Sequence, residues 1–255
     1  MLPAVRFLRK FAVGCQTLPM NDCFDFKPFR IYHDRCAMRV GTDGVLLGAW
    51  FEVPAGSRVL DVGAGSGLIA MMAAMRGAGE VVGLEIDAEA AAQARDNVAL
   101  AAGVLPCGVM VETADVLTYA TPSLFDVVVS NPPFHVEQTA APDKRRAQAR
   151  QADLLPYDRL IAAAARLLRD GGSFQVVWPY GSASDFLMAA STAGFSLRRQ
   201  TVVVTKDGAR PKRVLLHLVK APYLDTIPRH DTLVLFDADG RKTPEYQSLT
   251  GDFYL

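Results

Sequence analysis

One stretch limits the fold of this 255-residue chain more than any other: Val59-Leu60-Asp61-Val62-Gly63-Ala64-Gly65-Ser66-Gly67. A short apolar strand, Arg58–Val62, runs into a glycine-rich turn. A run of helix formers, Gly67–Arg76, starts on the last glycine. Glycine permits positive φ and leaves no Cβ in the path of a ligand. A helix that begins there turns free N–H groups and its positive dipole end toward a carboxylate or phosphate. The GxGxG spacing is tighter than the GxGxxG of dinucleotide-binding turns. Alone, such a turn is also an ordinary structural feature.

The rest of the chain repeats the same alternation. Strands are predicted over Val81–Ile86, Val109–Thr113, Phe125–Ser130, Ser173–Trp178, Leu197–Thr205 and Arg213–Lys220. Helices are predicted over Ala88–Ala102, Leu154–Leu168 and Ala183–Ala193, with Gly171-Gly172 as the stop signal of the second. Repeated β-α units specify an α/β fold: a Rossmann-like, doubly wound, seven-stranded sheet, mostly parallel, with helices on both faces. The last two strands are joined by the short polar stretch Lys206–Lys212, so the last strand is expected to run antiparallel. Residues 22–255 read as one domain, with a small N-terminal element at 22–50, a core at 51–220 and a C-terminal extension at 221–255. Residues 1–21 read as a loosely held extension in which Met20 is an alternative start. Arg6, Arg9 and Lys10 interrupt its apolar stretch and make it a poor secretory signal.

Composition excludes several classes. Half of the residues are hydrophobic and 21% are charged, as in a globular protein. No apolar run reaches the roughly 18 to 20 residues that span a bilayer. Four cysteines, at 15, 23, 36 and 107, form no CxxC pair and have no histidine at metal spacing, which argues against a zinc site and a disulfide framework. No metal, a reducing cytoplasm and a monomer are the expectations. Lys plus Arg and Asp plus Glu stand at 27 each, yet the distribution is uneven. Val62–Ser130 holds eight acids against two bases, and Phe195–Lys220 seven bases against one acid. The basic half suits a polyanion, although solvated surface charge has the same look.

Two carboxylates follow the glycine turn at strand ends. Glu85 ends the second strand about 20 residues on, where an acid accepts hydrogen bonds from both ribose hydroxyls of a nucleoside. Asp115 follows the third strand, where a carboxylate can accept from an adenine amino group or cap a helix. The fourth strand ends in Ser130-Asn131-Pro132-Pro133-Phe134. Two prolines stiffen this turn and remove two N–H donors. Carbonyl oxygens then gather beside the Asn131 amide, a set of acceptors suited to a planar amine. Phe134 adds a face for a planar substrate to stack on. Lys144, Arg145, Arg146 and Arg150, and then Arg210, Lys212 and Arg213, are bases placed to meet phosphate.

The motifs DVGAGSG and NPPF, with Glu85 and Asp115, resemble the class I amino-methyltransferases, which use S-adenosylmethionine. The upstream segment His33–Trp50 (HDRCAMRVGTDGVLLGAW) looks like the signature of bacterial enzymes that methylate N6 of adenosine 37 in valine tRNA. The resemblance covers about residues 24–220. It implies that Gly63, Gly65 and Gly67 pass close to the cofactor, with Asp61 in the same turn. Glu85 holds the ribose and Asp115 reads the adenine. Asn131, Pro132 and Phe134 hold the target base, Asn131 beside the cofactor as well. Thr42 and Asp43 close the site beside the cofactor's methionine part, and tRNA is the implied partner. The family usually reads NPPY; here NPPF is followed by His135, which is also similar to guanine-N2 methyltransferases of ribosomal RNA. Protein-glutamine methylation uses a similar turn, and a nicotinamide oxidoreductase is the alternative outside methyl transfer.

Overall fold

The computed structural model describes residues 22–133 and 155–254. The described part opens with a hairpin, β1 (Cys23–Asp25) and β2 (Arg30–Tyr32), then helix α1 (Thr42–Trp50). Next come β3 (Arg58–Val62), α2 (Leu68–Met75), β4 (Glu80–Glu85), α3 (Ala88–Ala101), β5 (Gly108–Thr113) and β6 (Phe125–Ser130). The second half holds α4 (Tyr157–Leu167), β7 (Leu168–Pro179), α5 (Ala183–Thr192), β8 (Phe195–Lys206), β9 (Arg213–Lys220), β10 (Arg229–Phe236) and α6 (Pro244–Thr250).

Among the described residues the main sheet has eight strands in the order β10-β8-β9-β7-β6-β3-β4-β5. All run the same way except β9, which pairs antiparallel with β7 and with β8. The antiparallel strand is thus the one expected, but the sheet has one strand more than the seven expected. The extra strand, β10, pairs parallel with the edge of β8. Its sequence RHDTLVLF is polar in the first half, and only Leu233 and Leu235 are buried, so its alternation is too short to stand out.

Alternation on the central strands explains the two-faced core. Leu60, Val62, Val128 and Phe174 point toward α4 and α5, while Val59, Val127 and Val129 point toward α1 and α2. The central strands are buried on both faces, as a parallel sheet requires. Helix α2 (LIAMMAAM) is buried nearly all round, and its small residues let it lie close to the sheet.

One expectation about punctuation is corrected. Helix α4 ends at Leu167, and Leu168 already pairs with Phe125 as the start of β7. Gly171-Gly172 therefore lies inside the strand, at a register shift between Phe125 and Val127, and does not stop the helix. A Cβ on Gly172 would lie 3.0 Å from the Asp126 carbonyl oxygen, so this irregular pairing needs a glycine.

β3, β4 and β5 lie on one side of the sheet, and the chain then crosses back to place β6 on the other side of β3. In open α/β sheets ligands bind at such a switch point, outside the carboxyl ends of the strands. No helix among the described residues is long and apolar enough to cross a membrane.

Candidate active site

A cavity of about 400 Å³ opens at that switch point. Gly63 and Gly65 line it, with φ of 74° and 53°. A Cβ on either would meet no atom within 4 Å, so each keeps open the space in front of the turn. Gly67 serves differently. It caps α2 with φ 82°, a conformation that favours glycine, and it lies against α3, where a Cβ would touch Ala94 at 3.4 Å. The turn's own N–H groups are largely spent inside the protein. Gly63 and Ala64 both donate to the Leu84 carbonyl at 2.9 Å, and Gly65 donates to Glu85 Oε2 at 2.8 Å.

The carboxylates divide their work in the same way. Glu85 ends β4 on the cavity wall; its Oε1 also accepts from the Asp87 N–H at 3.0 Å, which ties turn, strand and α3 together. Asp87 caps α3 through Ala90 at 2.8 Å. Asp115 borders the cavity and bonds its own loop, Oδ1 accepting from Leu117 at 2.9 Å. Asp61 lies behind the turn, fully buried, and Oδ2 accepts from the Ala70 N–H in the first turn of α2 at 3.0 Å. Asp61, not a free anion site, thus satisfies that N–H. Burial pushes its carboxyl up to about 7, the Ala70 bond opposes this, and the negative Glu85 adds to it. Its Oδ1 is buried with no partner among the described residues.

Asn131, Pro132 and Pro133 form the opposite wall. Ser130 Oγ donates to the Val62 carbonyl at 2.8 Å and fastens the end of β6 to that of β3. Helix α1 supports this corner from below. A Cβ on Gly44 would lie 3.7 Å from Asn131 Nδ2 and 3.5 Å from Leu68 Cδ2, ordinary contact distances, so α1 packs directly against the asparagine amide. Glycine turn, strand-end acid and Asn-Pro-Pro turn therefore face one space.

The methyltransferase small domain model matches residues 37–201. A tRNA1(Val) (adenine(37)-N6)-methyltransferase of Phocaeicola vulgatus is 44% identical over 235 residues, covering 92% of this chain and 98% of its own. One of Enterobacter sp. is 39% identical over 249 residues, covering 94% and 98%. The chain belongs to this family. A solved structure described as a predicted O-methyltransferase, from Agrobacterium tumefaciens, superposes with a TM-score of 0.62 at 22% identity, over 83% of this chain and 96% of its own, and supports the fold alone.

The remaining residues implied by the family resemblance are distributed unevenly. Thr42 opens α1, is exposed and does not line the cavity. Its neighbour Asp43 pairs with Arg213, Oδ2 to Nε 2.8 Å, which binds the start of α1 to β9. Arg213 thus faces inward toward α1, while Arg210 and Lys212 are exposed on the turn before β9. Phe134, His135, Lys144, Arg145, Arg146 and Arg150 lie outside the described residues.

The cavity also has walls that the motifs did not reveal. Cys36, Ala37 and Met38 cross it on one side, and Leu155, Pro156 and Arg159 flank it on the other. The first group is strapped to α3. Gln93 Oε1 accepts from the Arg35 N–H at 2.7 Å and its Nε2 donates to Asp34 at 2.7 Å. Asn97 accepts from the Tyr32 N–H at 3.0 Å and donates to the Tyr32 carbonyl at 2.8 Å. Arg35 pairs with Asp96. Burial of Cys36 at the cavity raises its thiol to about 11, so it stays protonated and apolar. The sequence signal lay in α3: Gln93 and Asn97, one turn apart in an alanine-rich helix, are both buried.

Proposed function

We propose that the protein methylates the exocyclic N6 amine of an adenosine in tRNA, with S-adenosylmethionine as donor and position 37 of valine tRNA as the target. The observation that carries this reading is the Asn131-Pro132-Pro133 wall facing Gly63, Gly65 and Glu85 across one cavity. The names of the full-length relatives support the nucleotide and the RNA.

The residues fit the cofactor. The volume is within the usual range of ligand pockets, roughly 300–1,000 Å³. The two glycines leave a cradle that Cβ atoms would fill. Glu85 would hold the ribose hydroxyls and Asp115 the adenine amine, between the apolar surfaces of Leu84, Ile86 and Val116. When bound, S-adenosylmethionine supplies an electrophilic methyl group on a positively charged sulfur.

The chain's part in the chemistry is positioning. The Asn131 side-chain carbonyl accepts one N–H of the amine, and a carbonyl of the proline turn accepts the other. The nitrogen lone pair is thereby turned toward the cavity, in line for attack. A neutral amine needs no strong base, because its proton is lost to solvent after transfer. Preorganised acceptors at the site of developing positive charge stabilise the transition state more than the ground state. The target base leaves its stack to reach the site.

The test is to incubate the protein with labelled cofactor and with total RNA or isolated valine tRNA, then digest the RNA and identify the nucleoside by mass spectrometry. N6-methyladenosine at position 37 is the expected product. N2-methylguanosine, or label found only in protein, would overturn the reading.

A further inference from the structure

We propose that an aromatic shelf beside the cavity, built from Tyr157, Trp178 and Tyr180, holds unpaired RNA nucleotides next to the target base. This deepens the function proposed above and rests on it for the identity of the RNA.

The shelf borders the site through its neighbours in the chain and in the sheet. Strand β7 lies beside β6, with Val176 opposite Ser130, so Trp178 and Pro179 run past the level of Asn131. Neighbouring strands are about 4.8 Å apart, which puts the end of β7 one strand from the proposed amine site. Tyr157 opens α4, and its neighbours Pro156 and Arg159 line the cavity. Tyr180 donates its backbone N–H to the Lys212 carbonyl at 3.1 Å, which joins the shelf to the exposed basic turn.

The shelf is also rigid. Trp178 packs on the buried Phe186 with centroids 4.5 Å apart, and its Nε1 donates to Ser182 Oγ at 3.1 Å. Tyr157 meets Trp178 edge-on at 6.0 Å and Phe186 at 6.1 Å. Yet Tyr157 and Tyr180 are 39% and 43% exposed. A packed, half-open ring at Tyr157 and an open one at Tyr180, between a cavity that receives a base and a turn that carries Arg210 and Lys212, match single-stranded RNA. Bases stack on the rings and phosphates meet the cations. An acidic or apolar protein partner would answer only one of these two features.

The experiment uses the full chain and two probes, a valine-tRNA anticodon stem-loop and oligouridylate. Tyr157→Ala and Tyr180→Ala should each raise KM for the stem-loop roughly 5- to 100-fold, the range for losing one base–aromatic stack. Cofactor affinity and kcat should stay near the parental values, and Tyr180→Phe should restore KM because the ring face is kept. Trp50 is buried, so quenching of tryptophan emission by oligouridylate reports on Trp178. That quenching is expected whether or not the RNA is methylated, which separates this proposal from the identity of the product. A parental KM in both alanine variants, or no quenching by an RNA that binds, would overturn it. So would a fall in sedimentation coefficient in the double alanine variant, which would assign the shelf to a second copy of the chain.

Discussion

The two sides of the switch point are built on opposite principles. On the β3–β5 side the polar groups are tied to one another: Glu85 to Gly65 and Asp87, Asp61 to Ala70, Gln93 and Asn97 to the segment that precedes α1. On the β6–β9 side the chain offers exposed groups at the rim: Pro133, Tyr180, Arg210 and Lys212. The first side must present a fixed, small-molecule-shaped cradle, so its geometry is over-determined. The second must meet a large polyanion, which recognises charge and flat surfaces over a wider area. Acids gather on the first and bases on the second, and the neutral total hides this division.

The wall between the two sides is the place where one substitution has the largest expected effect. Asn131→Ala leaves Ser130, Pro132 and Pro133 in place and removes only the amide. Folding and cofactor affinity should persist while kcat falls ~100- to 1,000-fold, the usual loss for one preorganised polar contact. Full turnover with alanine at 131 would show that the turn only stops the strand and that the amine is held elsewhere.

Next is the cradle. Glu85→Ala should weaken S-adenosylmethionine binding by about 1 to 3 kcal/mol through lost hydrogen bonds. Calorimetric titration measures it, with kcat at saturating cofactor as the control. Because Glu85 also holds the Gly65 N–H, Glu85→Gln should recover part of the loss by keeping an acceptor oxygen. Equal affinity in all three proteins would place the ribose on another residue.

Much of this division was legible in the sequence because the cradle is local. Strand, glycine turn, helix and strand-end acid are continuous along the chain, and each has a strong backbone preference. What stayed hidden depends on long-range contact. The Cys36–Met38 wall is placed by Gln93 and Asn97, some 60 residues away, which satisfy the backbone of Tyr32 and Arg35 just before it. Arg213 looks like another surface base until Asp43, 170 residues earlier, is seen against it. The eighth strand is an edge strand whose polar half weakens the alternation that marks buried strands. The three glycines read alike, yet packing assigns two to the cavity and one to α3.

A third prediction concerns a base that the basic side keeps neutral. His217 on β9 is buried, and desolvation lowers its pKa from 6.5 to about 4, with Glu52 opposing and Arg198 and Arg199 assisting. In the unfolded chain the imidazole titrates near 6.5. Between these values the unfolded state binds the proton and the native state does not. The stability it contributes is therefore complete above 6.5 and is lost as pH falls toward 4. Asp61 acts in the opposite sense, because its raised native pKa removes stability as pH rises from 3.8 toward 7. The two slopes offset each other in the parent. His217→Gln should thus gain on the parent by about 2 kcal/mol in urea-unfolding free energy between pH 7 and pH 5. A difference that does not change with pH would show that His217 is not held neutral.

The smallest effect separates two adjacent bases. Lys212 is exposed, and its charge has solvent and an approaching phosphate to meet. Arg213 is held by Asp43 at 2.8 Å, half-buried against the start of α1, the helix that supports Asn131. If the rim works by long-range attraction, Lys212→Ala should lower the slope of log K against log salt for tRNA by about 1, with kcat unchanged. Arg213→Ala should change that slope less, because Asp43 already offsets its charge, but should lower kcat by loosening the helix under Asn131. Asp43→Asn breaks the same pair from the other side and should share the kcat defect while leaving both bases in place. An equal loss of salt slope in both alanine variants, with no kcat effect at Arg213, would mean that the ion pair opens when RNA arrives and that the two bases act together on phosphate.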